Sequence, residues 1–193
     1  TLVSAHHSIV KIVTTPDKKR GRGQKLSAPI VKEFALEHHL SVLAPEKLSL
    51  LSIVEEIQVL RPDFIVIASY GKLVPSSIFT TAKIAPLNVH PSLLPKYRGP
   101  SPIQAAILNG DLETGISLIK MEKTMDSGPL VSQVKHPLSM RTTRNTLFDE
   151  LGNLAAQSVP DLIFHLAQNP NADFQDQDES KATFVGMIKK EDG

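Results

Sequence analysis

Short runs of apolar, mostly β-branched residues recur along the chain and alternate with stretches of helical periodicity. This alternation is typical of a parallel α/β sheet, because each crossover between parallel strands needs a connecting helix. The runs contain few polar residues, which indicates that both faces of the sheet are covered. The strand candidates are residues 9–13, 64–68, 87–90, 115–119 and 130–133.

Helical periodicity is found between these runs. An apolar stripe at positions i, i+3, i+4 and i+7 predicts one helix. The stripe consists of Leu50, Ile53, Val54 and Ile57. Residues 30–39 and 102–109 predict two more helices. Residues 145–168 are also helical in pattern, and we expect Pro160 to break or kink that helix near Ser158.

The composition excludes several classes of protein. Apolar residues make up 41% and charged residues 21% of the 193 positions, which is ordinary for a globular domain with a real core. The net charge of +1 provides no global attraction to nucleic acid or membrane. There is no cysteine, so disulfides and thiolate metal sites are excluded. Without cysteine or an HExxH motif, no metal site is expected.

Two segments differ from the rest in charge. Residues 169–180 are polar and acidic, and are typical of a linker or an exposed edge. Residues 17–25 form a glycine-containing segment, predicted to be a loop, that has five cations against a single acid. The cations are Lys18, Lys19, Arg20, Arg22 and Lys25. Such a loop can track phosphates, although a solvated surface loop has the same composition.

Asn88 and His90 are the first candidates for chemistry. They close a predicted strand and are two residues apart, so their side chains point to the same face. In α/β sheets ligands bind at the carboxyl ends of strands. An amide beside an imidazole suits a developing oxyanion and a proton transfer. The alternative is that both side chains only satisfy backbone groups of the following loop.

Asp126 is the third candidate. It follows a predicted strand and precedes Ser127 and Gly128, a pattern that is also common in plain turns. A carboxylate near His90 would favour the charged imidazole and fix its orientation. Sequence separation alone does not show whether the three groups meet.

Two strings around these residues carry a family resemblance. Residues 88–99 are Asn-Val-His-Pro-Ser-Leu-Leu-Pro-Lys-Tyr-Arg-Gly, and residues 125–128 are Met-Asp-Ser-Gly. Both resemble the signature of the formyltetrahydrofolate-dependent formyltransferases. The resemblance implies a Rossmann-like fold, 10-formyltetrahydrofolate as the formyl donor, and Asn88, His90 and Asp126 as the catalytic set. It also implies direct acyl transfer, with Asn88 and a protonated His90 stabilising the oxyanion while Asp126 holds the imidazole.

The same resemblance assigns the donor site. The turn after the second predicted strand would form one wall of the pterin pocket, and residues 121–125 the opposite wall. Lys123 and Thr124 depart from the more acidic, glycine-bearing form expected there. The folate-binding residues implied are Ser92, Leu93, Leu94, Pro95, Leu73 and Val74.

The basic segment is similar to a loop of the family members that formylate initiator methionyl-tRNA. That similarity makes Lys18, Lys19, Arg20, Arg22 and Lys25 candidates for tRNA binding. It implies a monomeric enzyme of the bacterial cytoplasm, with a mitochondrial or plastid matrix as the alternative. Two other functions stay open: a related enzyme that formylates a sugar amine or another small amine, and a non-catalytic module that binds folate or RNA.

The resemblance also predicts how the chain is divided. Residues 1–172 correspond to the catalytic domain, without the family's first strand, which we expect before residue 1. Residues 173–193 correspond to a linker toward a barrel-like C-terminal domain that this chain does not contain.

Overall fold

A computed structural model describes residues 2–5, 7–20, 24–170, 172 and 174–188, with only the backbone of Arg20. The strands are β1 (Ile12–Val13), β2 (Lys18–Arg20), β3 (Lys25–Ser27), β4 (Val42–Leu43), β5 (Phe64–Ala68), β6 (Ala85–His90), β7 (Glu113–Lys120) and β8 (Leu130–Pro137). The helices are α1 (Ile30–Glu37), α2 (Leu51–Leu60), α3 (Ser76–Phe79), α4 (Pro102–Leu108) and α5 (Arg144–Gln168), and a 3-10 turn covers Glu179–Lys181. None of the described helices is long and apolar enough to cross a membrane.

The main sheet contains four strands in the order β5–β6–β7–β8. β5 and β6 are parallel, whereas β7 and β8 run antiparallel to their neighbours. β1 and β4 form a separate parallel pair, which no pairing within the described residues joins to β5. Helices flank these strands, so the predicted α/β, Rossmann-like class is confirmed. A further strand before residue 1 stays a prediction.

The core lies between the sheet and α5. One apolar cluster joins β6 and β7 to the second half of α5, and it contains Ala85, Leu87, Leu118, Val159, Ile163 and Leu166. A second cluster joins α4 and β7 to the first half of α5, and it contains Ile103, Ile116, Leu147 and Leu151. Burying each large aliphatic side chain contributes roughly 1.5–3 kcal/mol. Because α5 covers this face of β6, the strand's alternate residues are directed to the opposite face.

Pro160 does not end the last helix. The prediction of a break near Ser158 is wrong, because α5 continues from Arg144 to Gln168. Val159 and Ile163 are buried on either side of the proline, so packing against the sheet holds the helix where local propensity disfavours it. The carbonyl oxygen of Pro160 accepts a hydrogen bond from His7 Nε2 at 3.0 Å.

The basic segment is more regular than a loop. β2 and β3 form an antiparallel pair, in which Lys18 is opposite Ser27 and Lys19 is opposite Leu26. Pairing the two strands satisfies backbone groups of the segment locally, which composition does not reveal. We call residues 18–27 the basic hairpin. The predicted loop is therefore, in its described part, a strand pair that presents its side chains on two faces.

Candidate active site

The polar residues of β6 lie on the face of the strand that points away from α5. Ala85 and Leu87 pack into the core on the other face, so alternation directs Asn88 and His90 away from it. His90 is 4% exposed, and Asn88 is half-buried. β6 therefore builds the core with one face and carries hydrogen-bonding groups on the other.

Asp126 lies in the loop between β7 and β8, and close backbone approach shapes this loop. A Cβ on Gly128 would come within 1.8 Å of the carbonyl oxygen of Lys120, so this position requires glycine. Asp126 itself has a φ of 52°, in the left-handed region that Asp and Asn adopt more readily than most residues. The loop conformation thus depends on the residue types at both positions.

The structure brings Asn88, His90 and Asp126 together. The Asn88 side-chain amide donates to Asp126 Oδ1 at 3.3 Å, and His90 Nδ1 lies 3.6 Å from Asp126 Oδ2. The backbone N–H of Gly99 donates to Asp126 Oδ2 at 2.9 Å. The carboxylate is therefore held between the end of β6 and the loop that follows it. This proximity is what the sequence alone left undecided.

The hydrogen bonds of His90 define its tautomer. Nε2 lies 2.9 Å from the carbonyl oxygen of Tyr97, and a carbonyl only accepts, so Nε2 carries the proton. Nδ1 is then the nitrogen that titrates, and it faces Asp126. Burial lowers the pKa of His90 below its usual value, although Asp126 and the Tyr97 hydrogen bond each act to raise it. A lowered pKa favours the neutral imidazole at rest, and the protonated His90 that the resemblance implies during oxyanion stabilisation stays a prediction.

Ser117 of β7 forms hydrogen bonds with the backbone of the loop after β6. The Ser117 hydroxyl donates to the Ser92 carbonyl oxygen at 2.6 Å and accepts from the Leu94 N–H at 3.0 Å. Gln133 of β8 donates to the Leu94 carbonyl oxygen at 2.8 Å and to the Ser117 hydroxyl at 2.9 Å. Neither Ser117 nor Gln133 was a candidate from the sequence, because a polar residue within a strand has no motif of its own.

Replacing Ser117 with alanine should lower the free energy of unfolding by about 1–3 kcal/mol. The change removes a buried hydroxyl and leaves the Leu94 N–H without a partner. Chemical denaturation of the full-length protein measures the loss. Ser132→Ala, on the neighbouring strand β8 and outside this network, is the matched control. Equal stability of the two variants would contradict the role given to Ser117.

Burial bears on the predicted folate-binding loop. Ser92 is 0% and Leu94 is 3% exposed, whereas Leu93 and Pro95 are half-buried. Ser92 and Leu94 therefore offer little surface to a ligand, and they mainly stabilise the shape of the loop. That this loop contacts folate stays a prediction, with Leu93 and Pro95 the members that retain accessible surface.

The other predicted folate-binding residues lie beside a cavity. The turn after β5 carries Leu73, which is 83% exposed, and Val74, which is half-buried. A cavity of about 250 Å³ is lined by Tyr70, Lys72 and Leu73 together with residues 46–49. The Tyr70 hydroxyl is buried without a hydrogen-bond partner in the described chain, and burial raises its pKa. Because β5 and β6 are parallel neighbours, this turn and His90 lie at the same edge of the sheet.

A second cavity lies on the opposite face of β6. It measures about 270 Å³ and is lined mainly by apolar residues of β5, β6 and α5, including Val66, Val89 and Val159. Since Val89 and Asn88 point to opposite faces, this cavity is separated from the polar cluster by the sheet itself.

The basic hairpin presents unpaired cations. Lys18, Lys19 and Lys25 are exposed and form no ion pair with any residue the structure describes. The register places Lys18 and Lys25 on one face and Lys19 on the other. The segment's one acid, Asp17, is already paired with Lys32 at 2.7 Å. Arg22 lies outside the described residues, and of Arg20 only the backbone position opposite Lys25 is described.

Residues 174–188, which we call the C-terminal segment, contact both loops of the site. The Arg98 N–H donates to the Thr183 carbonyl oxygen at 2.8 Å, and the Val185 N–H donates to the Arg98 carbonyl oxygen at 2.8 Å. A Cβ on Gly99 would lie 2.2 Å from the Val185 carbonyl oxygen, so the two backbones touch. The sequence indicated only a linker or edge here, since long-range partners leave no periodic signal.

Comparison with known proteins identifies the family. The family model described as formyl transferase matches residues 2–163. This chain belongs to the formyl transferase family. A methionyl-tRNA formyltransferase of Chloroflexus aggregans is 40% identical over 192 residues, which cover 100% of this chain and 62% of that protein.

The formyl transferase fold is also found in solved structures. Phosphoribosylglycinamide formyltransferase from Bacillus halodurans superposes with a TM-score of 0.71 at 22% identity, covering 85% of this chain and 83% of that one. HypX from Aquifex aeolicus in complex with tetrahydrofolic acid has a TM-score of 0.67 at 16% identity, covering 95% of this chain and 31% of that one. The chain spans 59% to 62% of the length of the curated relatives it matches.

Proposed function

We propose that the protein transfers a formyl group from 10-formyltetrahydrofolate to the α-amino group of initiator methionyl-tRNA, and so acts in translation initiation. The observation that carries the proposal is the meeting of Asn88, His90 and Asp126 at the end of β6. The formyl transferase family and the similarity to methionyl-tRNA formyltransferases along the whole chain support it.

Direct transfer needs no covalent enzyme intermediate. The acceptor amine attacks the formyl carbon on N10 of the donor, a C–N bond forms, and the carbonyl electrons move onto oxygen. Neutral His90 takes a proton from the attacking nitrogen at Nδ1. The oxygen electrons then return, the C–N10 bond breaks, and the proton passes from His90 to N10. The products are the N-formyl amine and tetrahydrofolate, so atoms and charges balance.

Asn88 is proposed to stabilise the oxyanion. One N–H of its side-chain amide is engaged with Asp126 at 3.3 Å, which orients the amide and leaves the second N–H to donate to the developing charge. A donor fixed before the reaction starts stabilises the transition state without a reorganisation cost.

Asp126 is proposed to raise the basicity of His90. In the neutral imidazole, Nδ1 and Asp126 Oδ2 are two acceptors 3.6 Å apart. Protonation of Nδ1 replaces this unfavourable pair with an ion pair, so the carboxylate stabilises the charged intermediate form of His90. The side chains of His90 and Asp126 are 5% and 13% exposed, which shelters the pair from solvent screening.

The donor site is proposed along the same edge of the sheet. Leu73 and Val74 would contact the pterin ring, and the loop of Ser92, Leu93, Leu94 and Pro95 would form the floor between the ring and His90. The exposed Leu73 beside a 250 Å³ cavity supports this arrangement, because an aliphatic side chain without a partner suits a flat ring.

The acceptor is proposed to reach the site along the basic hairpin. Lys18, Lys19, Arg20, Arg22 and Lys25 would contact tRNA phosphates. Counterions released from the phosphates would drive this contact, which makes it dependent on salt. By the same proposal the protein is a monomer of the bacterial cytoplasm, residues 1–172 belong to its catalytic domain, and residues 173–193 lead to a further domain.

The function is tested by incubating the full-length protein with 10-formyltetrahydrofolate and methionyl-tRNA. Formyl-methionyl-tRNA should appear with a matching amount of tetrahydrofolate. If the protein formylates a sugar amine supplied in place of the tRNA, and not the tRNA, it is the related enzyme. If it binds folate but turns over no amine, it is a binding module. Either of these results would overturn the proposed acceptor.

Removing two cations from the basic hairpin should weaken the use of methionyl-tRNA. In a Lys18→Gln, Lys25→Gln variant, the slope of log kcat/KM against log salt concentration should become shallower by about 1–2, because each phosphate contact contributes nearly one counterion. Lys83→Gln, Lys135→Gln is the control, since it removes the same charge from lysines already paired with Asp63 and Glu113. An unchanged salt slope in the hairpin variant would contradict tRNA binding there.

A further inference from the structure

The C-terminal segment lies along the loop that follows β6 and reaches the Asp126 loop as well. Its backbone pairs with Arg98 at one end and with Leu130 at the other, through Phe184 and Gln175. The Thr183 hydroxyl accepts from the Tyr97 N–H at 2.8 Å. Between these contacts, Gln177 enters the interior and is 8% exposed.

Arg98 is the most deeply placed cation of the described chain, with 2% of it exposed. Its guanidinium donates to Gln177 Oε1 from Nε at 3.1 Å and from Nη2 at 2.8 Å. It also pairs with Glu179, with Nη2 2.6 Å from Oε1. In the structure its partners are side chains of the C-terminal segment.

These contacts allow one orientation for the Gln177 amide. Arg98 can only donate, so it must face the amide oxygen. The amide nitrogen then points the other way, and it donates to the carbonyl oxygens of Asp126 at 2.8 Å and Gly128 at 2.7 Å. Both protons of the amide are used, and both are directed at the backbone of the loop that carries Asp126.

We propose that Gln177, oriented by Arg98, is a positioning residue that holds the Asp126 carboxylate against Asn88 and His90. This role rests on the proposed formyl transfer. It assigns to the C-terminal segment a part in catalysis, although no atom of the segment needs to touch a substrate.

The backbone conformation of Asp126 explains why its loop needs contacts from outside. Its left-handed φ of 52° is a conformation that persists only where surrounding contacts hold it. Inside the loop, the Ser127 hydroxyl donates to the nearby Thr124 carbonyl oxygen at 3.2 Å. Gln177 provides two buried hydrogen bonds from outside the loop. Without them the carboxylate would keep its own contacts with the Asn88 amide and the Gly99 N–H, but the backbone beneath it could shift and increase its distance from His90 while the strands stay intact.

Gln177→Met in the full-length protein is the primary test. Methionine matches glutamine in length and is uncharged, but it cannot donate to the loop. We expect kcat for formyl transfer to fall about 10²-fold, as for a catalytic group misplaced by roughly 1 Å. KM for 10-formyltetrahydrofolate should stay within about twofold. Arg98→Lys, which keeps the charge but loses the forked contact, should act in the same direction and serves if Gln177→Met does not fold.

The pH profile separates positioning from mere stabilisation. Asp126 acts to raise the pKa of His90, so a displaced carboxylate should move the acid limb of kcat/KM to lower pH. A variant that only loses folded protein has a lower kcat/KM at every pH, with the acid limb at the same pH as in the wild type. Lys181→Ala, in the same segment but paired only with exposed Asp178, should leave rate and profile unchanged.

Two results would overturn the proposal while the wild type transfers formyl groups. One is an unchanged kcat in Gln177→Met; the other is a lower rate with an unmoved acid limb in both variants. A wild type that transfers no formyl group would instead refute the proposed function. The titration of the His90 imidazole, followed by NMR without substrates, then still tests whether Gln177 positions Asp126. The pKa of His90 should fall in Gln177→Met and stay constant in Lys181→Ala.

Discussion

His90→Gln should reduce kcat for formyl transfer by about 10²- to 10⁴-fold, the range for loss of a general acid–base group. Glutamine can place its amide nitrogen near the position of Nε2 and so keep a donor for the Tyr97 carbonyl oxygen, which His90 now contacts at 2.9 Å. It offers no titrating nitrogen to Asp126. Affinity for 10-formyltetrahydrofolate should change little, and steady-state kinetics with a direct binding measurement separate the two effects.

His136→Gln is the control for that experiment. It makes the same replacement in another histidine–carboxylate pair, since His136 Nε2 lies 3.0 Å from Glu150 Oε2, but on β8 and α5 instead of β6. Its kcat should equal that of the wild type. If His90→Gln loses folate affinity as much as turnover, His90 binds the donor and does not transfer the proton.

The second large effect is expected for Asp126→Asn. Asparagine also adopts the left-handed backbone found at this position, so the loop should keep its shape. The variant loses the charge that opposes the effect of burial on His90. We expect kcat to fall about 10²-fold, the low end of the general acid–base range, because His90 itself remains.

The direction of the pH effect in Asp126→Asn follows from the two opposing influences on His90. Burial lowers its pKa, and Asp126 acts to raise it. Without the carboxylate charge, the pKa falls further, so the neutral base persists to lower pH and the acid limb of kcat/KM moves down. Asp63→Asn, which removes a carboxylate paired with Lys83 at 3.1 Å, should leave the profile unchanged. An acid limb that moves upward in Asp126→Asn would contradict the proposed pairing.

The elements with strong local patterns could be predicted from the sequence. Residues 64–68 are a strand as predicted, and the strand predicted at residues 87–90 forms the last four residues of β6. Continuous apolar runs of this length have few alternatives once both faces are buried. The prediction failed at Pro160, where local propensity opposed the helix and contacts with the sheet outweighed it. It also missed the strands of the basic hairpin, whose polar side chains show no apolar alternation.

The site was predictable in its parts but not in its assembly. Spacing placed Asn88 and His90 on one face, and a family resemblance pointed to Asp126. Their meeting depends on the fold of the β7–β8 loop, which no local pattern encodes. Gln177 and Ser117 show the limit most clearly, because each is an ordinary polar residue in sequence and acquires a role only through distant partners. The pKa of His90 likewise depends on burial that spacing does not report.

The division of β6 between core and site restricts how this chain can change by insertion and deletion. Leu87 packs toward α5 and Asn88 contacts Asp126, so each residue of the strand belongs either to the core or to the site. Adding or removing a single residue of β6 before Leu87 would exchange the two sides at once. An imidazole and an amide would then enter the apolar layer, and leucine and valine would replace the reacting groups. The strand itself can therefore change only by substitution.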